Sequence, residues 1–179
     1  MNLRTAAVGG GVWAMGLATL LAATDVKVTP LVTNGRVFTS FAAPSAFTSD
    51  AREVVRSGLQ LTLTFSVELR RPSTVWFDHT LSAATVAAQV KFDNLTRDYQ
   101  VSKQQEGRVV WSDHTADEGQ MRTWVTAFDG IPLEPTEPLE PNVDYYVRVR
   151  LRASPRLSFS FWPFGRDDGS GRKDFTFIR

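Results

Sequence analysis

Gly58-Leu-Gln-Leu-Thr-Leu-Thr-Phe-Ser-Val-Glu-Leu-Arg-Arg-Pro72 is the stretch on which the fold turns. In extended backbone, Leu59, Leu61, Leu63, Phe65, Val67 and Leu69 point one way, and Gln60, Thr62, Thr64, Ser66, Glu68 and Arg70 the other. Alternation sustained this long marks a strand with one buried face. Pro72 ends it, because proline cannot donate to a ladder. The stretch therefore predicts a long central strand of a sheet, with the rest of the chain covering its apolar side.

Working outward, Asp144 to Arg152 is a second alternating strand, with Tyr145, Val147, Val149 and Leu151 inward and Tyr146, Arg148, Arg150 and Arg152 outward. Upstream, Asp25 to Val32 and Arg36 to Ala42 flank Asn34-Gly35, a strong hairpin signal. Thr48 or Ser49 caps a short helix over Asp50 to Ser57, which Gly58 stops. Downstream, Val75 to Phe77 and Thr85 to Asp93 read as extended, and Asn94-Leu95-Thr96 turns the chain toward Tyr99 and Val101. Arg108 to Trp111 is another short strand. Thr115-Ala-Asp-Glu118 has the form of a capping box opening a helix to Phe128, with Met121, Trp124, Val125 and Phe128 as its buried stripe. Ile131 to Asn142 holds four prolines and reads as a polyproline-like crossover. Leu157 to Phe164 is rich in aromatics, Arg166 to Arg172 reads as a polar loop, and Lys173 to Ile178 as a last strand. The expected fold is mainly β: an antiparallel β-sandwich, immunoglobulin-like in general architecture, with two short helices.

The beginning of the chain has a different character. Arg4 is followed by an uncharged run from Thr5 to Ala23, and small residues precede Asp25. This predicts a signal peptide or an N-terminal membrane anchor over residues 1–24, followed by a single exported domain over 25–179. By the positive-inside tendency the domain is then either released or held at the membrane, facing outward. The chain has 179 residues, a formal charge of +1 and no cysteine. Disulfides and thiolate chemistry are excluded, and the charge offers no electrostatic reason to expect nucleic acid as a partner.

The two histidines lie in matching pentapeptides, Trp76-Phe-Asp-His-Thr80 and Trp111-Ser-Asp-His-Thr115. If Asp78, His79, Asp113 and His114 converged, they would supply the nitrogen and oxygen ligands of a zinc-type site. The competing reading makes each Asp-His-Thr a turn, the second capping a helix; a shared ion requires the rings to meet. No signature of a nucleophile elbow, phosphate loop, dinucleotide site or zinc protease is present, so neither an enzymatic activity nor a cofactor is expected. Arg148, Arg150 and Arg152, with Arg70 and Arg71, form a basic stripe that suits anionic headgroups or an acidic protein, or else blunts a sheet edge. Trp162-Pro-Phe-Gly165 reads as a loop presenting Trp162 and Phe164 as contact residues.

Leu61-Thr-Leu-Thr-Phe-Ser-Val-Glu-Leu-Arg-Arg71, Val75-Trp-Phe-Asp78, Phe92-Asp-Asn-Leu-Thr-Arg-Asp-Tyr-Gln-Val101 and Tyr146-Val-Arg-Val-Arg-Leu-Arg152 together resemble a bacterial family called domain of unknown function 4390. The likeness runs from about Gly35 to Arg152. It implies an exported, mainly β domain, and it brings no catalytic or ligand residues with it. The expectation is a non-enzymatic interaction module of the bacterial cell envelope, periplasmic or anchored to the inner membrane, with an envelope protein as partner. The alternatives are a metal-binding protein using the Asp-His-Thr motifs, or a carrier of an apolar ligand in an internal cavity.

Overall fold

The structure, a computed structural model, describes residues 26–33, 35–75, 77–154 and 169–178. Asn34, Trp76 and the 155–168 segment with Trp162 and Phe164 lie outside the described residues, as does the leader up to residue 25.

The described residues form two antiparallel sheets. The smaller contains β1 (Lys27–Thr33), β2 (Arg36–Ala42) and β7 (Ala127–Leu133), in the order β1-β2-β7. The larger contains β3 (Leu61–Arg71), β4 (His79–Asp93), β5 (Asp98–Gln105), β6 (Arg108–Thr115), β8 (Val143–Ser154) and β9 (Gly169–Phe177), in the order β6-β5-β4-β3-β8-β9. The expected general architecture is present, as a three-plus-six division of strands.

β3 sits between β4 and β8, and its residues at 61, 63, 65, 67 and 69 are wholly buried. Phe65 meets Phe41 of β2 at 4.9 Å and Phe128 of β7 at 5.4 Å between ring centres, so one aromatic cluster joins the two sheets. Lys103 of β5 closes one side: its Nζ donates to the Ala127 carbonyl at 2.8 Å and lies over the Phe128 and Trp111 rings. Burial pushes the Lys103 pKa down, and the nearby charge of Asp129 opposes that shift.

α1 (Ser49–Arg56) is capped by Thr48, whose Oγ1 accepts from the Ala51 amide at 3.2 Å, and it buries Ala51 and Val55. Gly58, at φ +82°, turns the chain out of it. The turn delays β3 to Leu61, so Leu59, expected inward, is 58% exposed. α2 (Glu118–Thr126) begins two residues later than expected: its cap is Asp117, which accepts from the amides of Gly119 and Gln120. Thr115 instead closes β6, its Oγ1 accepting from the Asp117 amide. Glu118 accepts from Arg52 at 2.5 Å and Arg56 at 2.9 Å, tying α2 to α1.

The largest departure is β7. Residues from Ala127 onward were expected as helix end and crossover, yet Phe128, Ile131 and Leu133 are buried from a strand paired with β2. Gly130, at φ +62°, accompanies a register shift opposite Thr39 and Phe41. That bulge places inward residues three apart, which imitates a helical spacing. Val75 and Phe77, expected in a strand, lie in a loop, and Gly169 to Arg172 belong to β9 rather than to a loop.

β1 packs across β9 so closely that a Cβ at Gly171 would stand 2.2 Å from the Val26 carbonyl oxygen. Gly171→Ala is expected to push β1 away and to destabilise the fold by about 1–3 kcal/mol, read as a lower urea midpoint. An unchanged midpoint would show that this packing carries no stability.

Candidate functional site

Two features stand out on the described surface: a loop at one end of the sandwich, and the outer face of β3, β8 and β9. They share residues at the end of β3.

The loop is the connection from β3 to β4. Val75 is 77% exposed and Phe77 is 93% exposed. Its base, in contrast, is tied down. Asp78 Oδ1 accepts from the Ser73 amide at 3.1 Å, and Oδ2 accepts from the Tyr146 hydroxyl at 2.5 Å. Arg70 donates to the Asp78 carbonyl at 2.7 Å. The Tyr146 hydrogen bond, with that of Ser73, holds the Asp78 carboxyl below its ordinary pKa, and burial with the Asp78 bond raises that of Tyr146. Arg172 of β9 lies 3.7 Å over the Tyr146 ring. This explains why Tyr146, expected on the solvent side, is on the outer face by register and yet buried. Arg71 pairs with Glu140 at 2.7 Å, and the Thr136 amide donates to the Leu81 carbonyl, so the proline-rich 134–142 connection is fastened to the same end.

On the outer face, register places Arg148 opposite Glu68, Arg150 opposite Ser66 and Arg152 opposite Thr64. Glu68 accepts from Arg148 at 2.6 Å and, more closely, from Arg150, while Arg70 stands 3.5 Å away. The basic stripe is thus a network in which three guanidiniums share one carboxylate. Burial pushes the Glu68 carboxyl up, but the hydrogen bonds and charges of Arg148 and Arg150 outweigh it and leave its pKa lowered. The Nε atoms of Arg70 and Arg148 are buried without an acceptor. On the same face, the β4–β6 half holds a shallow groove of about 540 Å³ lined by Gln60, Gln89, Gln100, Ser102, Ser112 and His114 among others.

The paired Asp-His motifs do not converge. His79 opens β4 beside Arg71, whereas His114 pairs with Gln100, which pairs with Lys91 at the far end of β4. Twelve residues of strand separate the two levels, about 40 Å at about 3.4 Å per residue. Asp78 and His79 therefore sit at one end of the sheet, and Asp113 and His114 lie within β6 near the other. They do not form the turns expected of them either. Among the described residues no group of three or more histidines and carboxylates is placed to hold a metal ion.

Sequence reasoning located Arg148, Arg150 and Arg152 but missed Glu68 as their centre and Tyr146 as the latch. Glu68 reads in sequence as one more polar position of an alternating strand, and its partners are 80 and 82 residues away.

Because the Glu68 carboxyl is depressed in the folded state, its stabilisation is complete above the ordinary carboxylate range and is lost as pH falls through the folded value. Glu68→Gln is therefore expected to be less stable than the wild type at neutral pH, with the gap narrowing below about pH 4. Urea midpoints across pH measure this; a gap that stays constant down to pH 3 would mean that Glu68 is not held ionised by the arginines.

No curated protein and no solved structure matches this chain. A family model described as a domain of unknown function (DUF4390) matches residues 21–156, a span that contains β1 through β8. That match covers well over half of the chain, and the protein belongs to the DUF4390 family.

Proposed function

We propose that this protein is an exported interaction module of the bacterial cell envelope, acting by binding rather than by catalysis. The observation that carries the reading is the β3–β4 loop, whose apolar side chains at 75 and 77 project into solvent from a base fastened by Asp78, Tyr146 and Arg70. Exposing a phenylalanine on an anchored loop stabilises nothing within the fold. Covering that side chain with a partner removes apolar surface from water and is favourable.

Export rests on the leader, Arg4 followed by an uncharged run to Ala23 and then Asp25. Among the described residues no helix is long and apolar enough to cross a membrane. Binding rather than catalysis is supported by the commitments of three partly buried carboxylates: Asp78 to Tyr146 and Ser73, and Glu68 and Glu118 each to two arginines. The distance between His79 and His114 weighs against a shared metal. The aromatic cluster of Phe41, Phe65 and Phe128 packs the middle of the space between the sheets, which weighs against an apolar ligand there.

A photo-crosslinking residue at position 77 in intact cells is expected to give a discrete adduct with an envelope protein. The same residue at position 95, 94% exposed in the β4–β5 turn at the opposite end, is expected to give none. Fractionation should place the protein in the periplasm or inner membrane. A cytosolic protein would sink the export reading, and monomer alone from position 77 would sink the loop as contact site.

A further inference from the structure

We propose that β6 is the contact edge of a homodimer, pairing antiparallel with β6 of a second copy across a twofold axis. This edge is distinct from the apolar loop and does not depend on it.

A sheet ends in strands whose outer N–H and C=O groups lack a ladder partner, and folds guard such edges with proline, inward-pointing charge or cover. Of the four sheet edges among the described residues, three are guarded. β9 carries Lys173 on the core side, opposite Val147, and β1 lies against it at Gly171. β1 holds Pro30, and the same contact covers it. β7 holds Pro132, and Lys103 reaches its first carbonyl, that of Ala127. β6, the fourth, pairs only with β5. Its middle, Val109-Val110-Trp111-Ser112, has neither proline nor charge, and Val109 and Val110 are 60% and 61% exposed. Pairing with another strand suits these β-branched side chains and takes their surface out of water.

The charge pattern selects the occupant. The register of β6 with β5 shifts between Lys103 and Gln104, which makes Val110 an extra, bulged residue. Without the bulge, Arg108 and Asp113 are five positions apart and face opposite ways. With it they pair with Gln105 and Val101, which lie four apart on β5 and share a face. Arg108 and Asp113 therefore share a face too, one at each end of the uncharged middle. Such a strand is its own complement. When Arg108 stands opposite Asp113 of the other copy, Asp113 meets Arg108 in turn, Val109 meets Ser112, and Val110 meets Trp111. This reciprocity is what a twofold interface requires, and opposite charges directly across an antiparallel pair stabilise it. The bulge bends a strand away from a flat partner, but two copies related by a twofold axis bend alike.

Both charges are available. Arg108 is exposed and has no ion pair among the described residues. Asp113 is 51% exposed; its Oδ1 accepts from the His114 amide at 2.8 Å, which leaves Oδ2 for a guanidinium. That amide is already satisfied, so the new ladder ends at Asp113. A formal charge of +1 gives two copies little reason to repel each other.

The test uses the purified full-length chain in mild detergent and a short bifunctional thiol reagent, since the sequence has no cysteine of its own. Val110→Cys is expected to give a crosslinked dimer on a denaturing gel, because the two copies of position 110 flank the twofold axis. Leu95→Cys, 94% exposed in the β4–β5 turn, is expected to give only monomer. In the Val110→Cys background, Arg108→Asp should lower the dimer yield about ten-fold by setting like charges across each pair. Adding Asp113→Arg should restore it, and that rescue separates a lost contact from a lost fold. No dimer from Val110→Cys, equal dimer from Leu95→Cys, an unchanged yield with Arg108→Asp, or no recovery in the double variant overturns the proposal. The adduct from position 77 is expected in cells carrying Arg108→Asp, so loss of one result leaves the other standing.

Discussion

Burial of the apolar row of β3 is the constraint from which the remaining structure follows. Leu61, Leu63, Phe65, Val67 and Leu69 have no exposure, which requires a second sheet over them and a paired strand on each side. β4 and β8 supply the pairing; β2 and β7 supply Phe41 and Phe128 over Phe65. A row of this kind cannot shift by one residue, because a single slip would carry all five side chains to the opposite face. The register with β8 is held just as firmly, and that register brings Glu68 between the arginines.

The opposite face of the same strand therefore inherits its geometry from the core. Glu68 and Arg70 are placed by the residues buried behind them, and the network they join spans β3, β8 and β9. At the end of β3 that network continues into Asp78 and Tyr146, which hold the base of the loop bearing Phe77. Packing, surface charge and loop presentation are consequently linked through one strand. A change at Arg70 touches both the Glu68 cluster and the Asp78 carbonyl.

The helices have a narrower task. α1 and α2 are joined through Glu118 to Arg52 and Arg56, and each buries few side chains, Ala51 and Val55 from α1 and Met121, Val125 and Thr126 from α2. They cover part of the core left open by a smaller sheet of three strands facing one of six.

Local pattern carried the reading wherever the chain keeps one period. The alternation of Leu61 to Leu69 and of Tyr145 to Leu151, the Thr48 cap and the Gly58 stop are properties of neighbouring residues, and they are legible in the sequence. β7 was hidden because its bulge at Gly130 breaks the alternation, and Phe128 then fell into step with the apolar stripe of α2. Alternation alone points Tyr146 to solvent, and nothing nearby in sequence reveals Arg172 above its ring. The sequence by itself determined which side of each long strand is apolar, since side-chain direction alternates with the backbone. Only the tertiary structure decided which strands lie together. Pairing joins residues far apart in the chain, and alternation is satisfied equally by many partners. That choice set Glu68 among three guanidiniums, fastened Asp78 to Tyr146, and put His79 and His114 at opposite ends of the sheet.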